Sequence, residues 1–279
     1  MLSETWLQSL PLSPIDRIVP LSGGDINDAY AIESGKRHYF LKVHTHVPDN
    51  FFVPEAAGLK LIARSARTPH VIDFGEIAAD DFLLLEWIPA GHFHNERKLG
   101  EDLAHVHRQT SSSFRFDFNN YAGQLPQYNH REQDWTTFYL KWRLAPQIEI
   151  AKKRGCWNSR RQENYEKLAE RFARTYRELD VVPGLLHGDL WGGNVMYAEN
   201  GEPVLIDPSV FYGNREMDLA MTRLFGGFGD SFYRAYNAAY PLDPGWEERV
   251  PWYQLYYLLC HLNMFGEGYG AAVDRALER

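Results

Sequence analysis

The sequence predicts an α+β protein of two lobes: a small N-terminal lobe built on an antiparallel sheet and a larger, mainly helical C-terminal lobe. Three observations carry this. Residues 17–43 read as short apolar strands separated by turn residues. Beyond about residue 94, long segments carry apolar residues at helical spacing. Between them, Pro89-Ala90-Gly91 ends the apolar run Phe82–Ile88. The boundary is therefore placed within residues 88–94, giving lobes 1–88 and 89–279. A chain of 279 residues, 44% of them hydrophobic, is ample for a sizeable core and one or two domains.

In the first lobe, Ile18–Leu21, Ala29–Ile32 and Tyr39–Val43 form a β-meander, with Ser22-Gly23-Gly24-Asp25 at its first tip. Glycines without a Cβ let a backbone approach a phosphate closely. Gly23 and Gly24 are candidates for that, although an adjacent pair also makes a plain turn. Residues 54–66 read as a helix that places Leu59, Ile62 and Ala66 on one face. Glu55 falls on the same face, where a carboxylate is costly unless paired. Lys42, at the end of an apolar strand, is the expected partner. Lysine from a strand with glutamate from the next helix is how kinases grip the α/β-phosphates. Glu55 also suits the first turn of a helix for its dipole alone. Phe82–Ile88 reads as a buried strand. Leu99–Thr110, most of 134–178, Glu216–Phe225 and Trp252–Phe265 read as helices.

The densest polar signal is LLHGDLWGGNVMYAENGEPVLIDP, residues 185–208. Two short apolar runs, Asn194–Tyr197 and Val204–Asp207, flank Asn200-Gly201, the strongest short-range signal for a two-residue hairpin turn. A turn centred on that pair sets Val195 opposite Ile206 and Asn194 opposite Asp207. Asp189 precedes them in a glycine-containing loop. Oxygen donors of this kind suit magnesium, which is typically held by one or two carboxylates plus substrate phosphates. The spacing Asp189-x-x-x-x-Asn194 is that of a kinase catalytic loop, in which the Asp accepts a hydroxyl proton and the Asn holds metal.

Other classes are disfavoured. Net charge is −8 with no long basic run, which argues against nucleic acid or anionic membrane as partner. No apolar stretch approaches the roughly 20 residues of a membrane span. The N-terminus lacks a basic region followed by an apolar core, so no secretory signal is expected. Two distant cysteines, Cys156 and Cys260, make no disulfide framework and fit a reducing cytoplasm. The pairs His44/His46, His92/His94 and His105/His107 invite a metal reading. Helical i and i+2 positions point apart, however, and no carboxylate or cysteine pattern supports the others.

LSGGDINDAY, LLHGDLWGGN, LIDPSVFYGNREMDLAMTRLFGGF and LLCHLNMFGEGY together resemble the fructosamine kinase (ketosamine-3-kinase) family, from about residue 16 to about residue 270. The resemblance implies a bilobal protein-kinase-like fold, related to aminoglycoside phosphotransferases. It implies ATP- and Mg2+-dependent phosphorylation of the 3-hydroxyl of ketosamines, in a deglycation or metabolite-repair role. It makes Asp189 the catalytic base and Asn194 and Asp207 the metal ligands. Lys42 would meet the ATP phosphates, oriented by Glu55. Glu86, Trp87 and Ile88 would form the adenine hinge, and His187 and Asp218 would support the catalytic loop. Trp191, His261 and Phe265 would face the acceptor, whether a free or a protein-bound ketosamine. Asp218 shares a helical face with Met221 and Phe225, which independently suggests burial. Ile206-Asp207-Pro208 replaces the Asp-Phe-Gly of protein kinases, so no switch on a mobile Phe is expected. Some family members carry a cysteine where Asp25 stands here, so no redox switch is expected there. Two rival readings share these residues: a kinase for an aminoglycoside or another amino alcohol, and a non-catalytic kinase-like nucleotide-binding protein.

Overall fold

In a computed structural model, residues 2–21, 27–45 and 50–279 are described. Gly23, Gly24, Asp25 and His46 lie outside them. The chain divides into two compact units, Met1–Asn95 with Met196–Asp207, and Glu96–Val195 with Pro208–Arg279.

The first unit is built on a five-stranded antiparallel sheet in the order β1-β2-β3-β5-β4. Its strands are β1 (Arg17–Leu21), β2 (Asp28–Ser34), β3 (Arg37–Thr45), β4 (Val71–Ile77) and β5 (Asp80–Glu86). Alternation along a strand sends neighbouring side chains to opposite faces. Leu41, Val43, Phe82 and Leu84 thus pack on one face with Trp6 of helix α1 (Glu4–Gln8). Leu83 and Leu85 pack on the other with Phe52, Ala56 and Leu59 of helix α2 (Val53–Ile62) and its approach. Lys42 is paired with Leu83 in the β3–β5 register. It therefore shares the α2 face, and pleat parity alone aims an ammonium at the helix.

The second unit is mainly helical, with helix Glu96–His107 packed on Asp230–Ala239 and with Ser159–Tyr176, Glu216–Thr222, Trp246–Phe265 and Gly270–Glu278. A seven-residue π-helical stretch, Phe138–Leu144, runs into helix Ala145–Lys153. The buried ion pair of Arg249 with Glu216, at 2.6 and 2.8 Å, ties the first turns of Trp246–Phe265 to the start of Glu216–Thr222.

Several expectations are corrected. The division falls at Asn95/Glu96 rather than 88/89, and the hairpin segment Met196–Asp207 belongs with the N-terminal unit. Ile88 packs on Ala198 and Val204, the Gly91 N–H donates to the Tyr197 carbonyl at 2.8 Å, and Arg67 pairs with Glu202. Those contacts claim the hairpin for the sheet unit. The hairpin turn is also different. Gly201 has φ +79° but Asn200 has no positive φ, so the two-residue turn that needs both is not made. Instead the Gly201 N–H donates to the Ala198 carbonyl and the Ala198 N–H to the Glu202 carbonyl, a three-residue loop with glycine at its left-handed position. The register moves by one residue, which removes the expected pairing of Asn194 with Asp207. The helix expected to reach Phe225 ends at Thr222, and Phe225 is exposed. The helix expected from Trp252 begins at Trp246 and carries Pro251 within it.

Strand β4 was not expected from the sequence. Its turn into β5 is Ala78-Ala79, with φ of +52° and +66°. Two left-handed alanines carry the Cβ cost that Asn and Gly avoid. Replacing the pair with Asn-Gly should therefore raise stability by about 1–2 kcal/mol in urea denaturation, with an unchanged m-value.

Candidate active site

Strand Gly184–Leu186, fully buried and paired with Phe211–Gly213, delivers the chain to His187-Gly188-Asp189. The loop is shaped by Asp218, which is wholly buried on helix Glu216–Thr222. One carboxylate oxygen accepts from the His187 N–H at 2.7 Å and the other from the Gly188 N–H at 2.9 Å. His107 Nε2 donates to the first oxygen at 3.1 Å, and His107 Nδ1 accepts from the Tyr236 hydroxyl at 2.8 Å. Burial lowers the His107 pKa against the pull of Asp218, so the ring is neutral with its proton on Nε2. Gly188 has φ +84°, and an added Cβ would run into the Ser209 carbonyl oxygen. The Ser209 N–H donates back to the His187 carbonyl at 2.8 Å. The loop is thus closed from both sides.

Asp189, half-buried, follows from this clamp. Asn194 ends a short 3-10 turn, Gly192–Asn194, and its amide Nδ2 donates to the Asp189 carbonyl at 2.8 Å and to Asp189 Oδ2 at 3.1 Å. Trp191 between them is 42% exposed, with its indole folded over Gly193, where any side chain would collide with it.

In the first unit Lys42 is 5% exposed, and its Nζ donates at 2.7 Å to both Glu55 Oε1 and Asp207 Oδ1. The expected Lys42–Glu55 pair forms, and Asp207 joins it. Burial would lower the Lys42 pKa, but the two carboxylates outweigh it and hold the ammonium above its ordinary value. One ammonium cannot satisfy two carboxylates fully. Burial, with Asp207 alongside, accordingly holds the Glu55 carboxyl above its usual range despite Lys42. Asp207 itself has φ +54°, a left-handed conformation that aspartate tolerates better than most residues. The expected hinge is partly committed elsewhere. The Glu86 N–H donates to the His70 carbonyl, its carboxylate accepts from Arg67 and the His70 N–H, and Ile88 is buried in the hairpin core.

On the expected acceptor side, His261 lies 4.9 Å from Phe225, 5.7 Å from Phe265 and 5.0 Å from Tyr269 between ring centroids. Its Nδ1–H donates to the Tyr257 carbonyl at 2.8 Å, which leaves Nε2 as an acceptor. Burial lowers its pKa, so it is neutral near pH 7. Phe265 is 58% exposed. Gly192 approaches Gly227 closely, which brings the Trp191 loop beside the segment that carries Phe225.

The sequence singled out Asp218 and His187 but missed His107, Tyr236 and Ser209. A weak signal for His107 existed: it stands four residues beyond Leu103, on the buried stripe of its helix.

The fructosamine kinase family model matches residues 3–279. The chain belongs to the fructosamine kinase family. It is 49% identical over 276 residues to a probable ketoamine kinase of Lactiplantibacillus plantarum, covering 99% of this chain and 98% of the relative. The crystal structure of a putative fructosamine-3-kinase from Thermobifida fusca superposes with a TM-score of 0.86 at 30% identity, covering 94% of this chain and 92% of that one. The aminoglycoside phosphotransferase APH(4)-Ia, solved with ADP and hygromycin B, shares the protein-kinase-like fold with a TM-score of 0.61 at 16% identity and 94% coverage of each chain.

Two predictions follow from the clamp. Asp218→Asn puts an amide against backbone N–H donors and His107. It should cost about 3–5 kcal/mol in urea denaturation and depress whatever activity the loop supports. The second concerns acid. A histidine held neutral by burial is protonated first in the unfolded chain, so its stabilisation is full above about pH 6.5 and is lost as pH falls below it. His44, His107 and His261 all carry lowered values. Stability measured from pH 7.5 to 5 should fall below about pH 6.5, and His107→Gln should flatten that slope.

Proposed function

We propose that this fructosamine kinase family member transfers the γ-phosphoryl group of ATP to the 3-hydroxyl of ketosamines, the adducts of reducing sugars with amines. The observation that carries the reading is the Asp189–Asn194 loop held on the buried Asp218 carboxylate, in a chain of this family. Phosphoryl transfer calls mainly for positioning and charge neutralisation. Asp189 accepts the proton of the acceptor hydroxyl. Asn194 supports its carboxylate through the amide nitrogen and retains an amide oxygen for a cation. Lys42, kept charged by its two carboxylates, meets the phosphates, and Glu55 holds it in place.

The family pattern assigns magnesium to Asn194 and Asp207. Asn194 and Asp207 each offer a hard oxygen. Magnesium is typically held by one or two carboxylates and completed by substrate phosphate oxygens. When bound, the ion would neutralise charge on the phosphates. The backbone beyond Glu86, at Trp87 and Ile88, is left to meet adenine, and Gly23 and Gly24 are assigned to the phosphates by the family pattern alone.

On the acceptor side, Trp191 offers an exposed aromatic face to the sugar, and His261 Nε2 offers an acceptor to its hydroxyls, with Phe265 beside it. A 3-phosphorylated ketosamine breaks down, so the role we assign is deglycation or repair of glycated amines. The setting we assign is the cytoplasm, in keeping with two free cysteines. Among the described residues no helix is long and apolar enough to cross a membrane.

ADP release with Mg-ATP, across ribulose-lysine, fructose-lysine, kanamycin and choline, tests the reading. Asp189→Asn should lower turnover on the ketosamines at least about a hundredfold. Mg-ATP should still raise its melting temperature, as linkage requires of a retained nucleotide site. Turnover confined to kanamycin or choline would move the acceptor to another class. Normal kcat in Asp189→Asn would remove the role given to that residue.

A further inference from the structure

In the second unit, residues 120–129 place amides where a core is usually apolar. Strands Asn120–Ala122 and Leu125–Gln127 pair over three residues only. A two-stranded ribbon that short is marginal by itself. Yet Asn120, Gln127 and Asn129 are all buried, Gln127 to 1% exposure. Apolar side chains of similar shape would fill the same space and need no partners. The amides have their bonds made, and those bonds lead to one place.

Gln127 is the hub. Its Oε1 accepts from the Tyr256 hydroxyl at 2.8 Å. Its Nε2 donates to Asn120 Oδ1 at 2.8 Å, to Ser209 Oγ at 2.9 Å and to the Ser209 carbonyl at 3.1 Å. Asn120 donates in turn to the Val210 carbonyl at 2.9 Å. Behind it, Asn120 accepts from Asn129 at 2.7 Å, and Asn129 accepts from the wholly buried Arg143 at 2.5 Å. Ser209 is the wall of the His187–Asp189 loop. Its N–H donates to the His187 carbonyl at 2.8 Å. Its carbonyl oxygen would stand 2.0 Å from a Cβ added to Gly188. That carbonyl is the one Gln127 holds. Asp218 meets the N–H groups of His187 and Gly188, and the Gln127–Ser209 pair meets the same turn at the His187 carbonyl.

We propose that Gln127 is a positioning residue for Asp189: by holding the carbonyl and the hydroxyl of Ser209, it fixes the carbonyl side of the loop as Asp218 fixes its N–H side. Together they set where the Asp189 carboxylate stands against the acceptor hydroxyl. This rests on the reading of Asp189 as the group that takes the acceptor's proton. Gln127 bonds neither Lys42, Asp207 nor the hinge, so its loss falls on the transfer step and not on nucleotide binding.

Gln127→Met keeps the length of the side chain and removes its bonds. Steady-state ADP release is measured at saturating Mg-ATP and ketosamine, with kcat expressed per nucleotide site counted by Mg-ADP titration. The expected kcat is about tenfold lower, within the roughly hundredfold that a misplacement of about 1 Å can cost. KM for Mg-ATP should stay within about twofold. Tyr139→Phe is the control. It removes another buried hydrogen bond of the same unit, to the Trp252 carbonyl at 2.6 Å, outside this chain of bonds. It should lower the melting temperature and leave kcat per site unchanged. Ser209→Ala should slow transfer less than Gln127→Met, and the double variant should be no slower than Gln127→Met alone, because both cut one tie. Should Gln127→Met not fold, Gln127→Glu is read by the same criteria: it keeps the shape and the acceptor for Tyr256 but turns an oxygen on the Ser209 carbonyl. A kcat per site within about twofold of the unsubstituted protein would overturn the inference and leave the kinase reading intact. An equal loss in Tyr139→Phe would overturn it too, since general stability would then be the cause. So would single losses that multiply in the double variant, since Gln127 and Ser209 would then act separately. Absence of turnover by the unsubstituted protein on every acceptor would overturn the reading of Asp189 and this inference together.

Discussion

The His187–Asp189 loop takes its shape because one buried carboxylate needs donors. Asp218 is wholly inside the second unit, and a charge there is tolerated only when its oxygens are met. It takes them from the two backbone N–H groups that begin the loop, His187 and Gly188, and from the neutral ring of His107. The requirement runs both ways. Those N–H groups follow a buried strand, where backbone donors need acceptors as much as the carboxylate needs donors. Asp189 comes next in the chain and inherits a fixed starting point.

Around this clamp the second unit spends its other buried polar groups on the same end. Tyr236 sets the His107 tautomer, and Arg249 with Glu216 fixes the first turn of the helix that bears Asp218. Ser209 is held by Gln127 and returns a bond to His187, while Gln127 is itself held by Tyr256. Fully satisfied networks of this kind rigidify what they touch. The first unit solves a different problem. Lys42 is a buried ammonium shared between two carboxylates, so the group remains charged in a site of low polarity.

How far the sequence reached can be judged from particular residues. Glu55 was legible because helix periodicity, a local rule, buries it and so demands a partner, and Lys42 because it is the cation at the end of a preceding apolar strand. Asp218 was legible from Met221 on its helical face, although Phe225, the other expected face-mate, lies beyond the helix end and is exposed. His107 was not, because the same periodicity that buries it says nothing of what it meets across the unit. The two tight hairpins are the clearest failures. Asn200-Gly201 carries the strongest turn signal and makes a three-residue loop, whereas the mirror-type backbone is adopted at Ala78-Ala79, where nothing in the residues asks for it. In both, strand pairing and packing outweigh a turn preference worth little more than a kilocalorie or two.

By itself, the sequence determined the fold class, the family and the chemical groups available, because each depends on residue type and near-neighbour spacing. Only the tertiary structure decided which unit holds the Met196–Asp207 hairpin, the one-residue shift of its register, and the bonding of Asp218 to His107. It also decided that Gln127 closes on Ser209. Those are contacts between segments far apart in the chain. Their geometry is set by how many surfaces pack at once, and no local pattern encodes that sum.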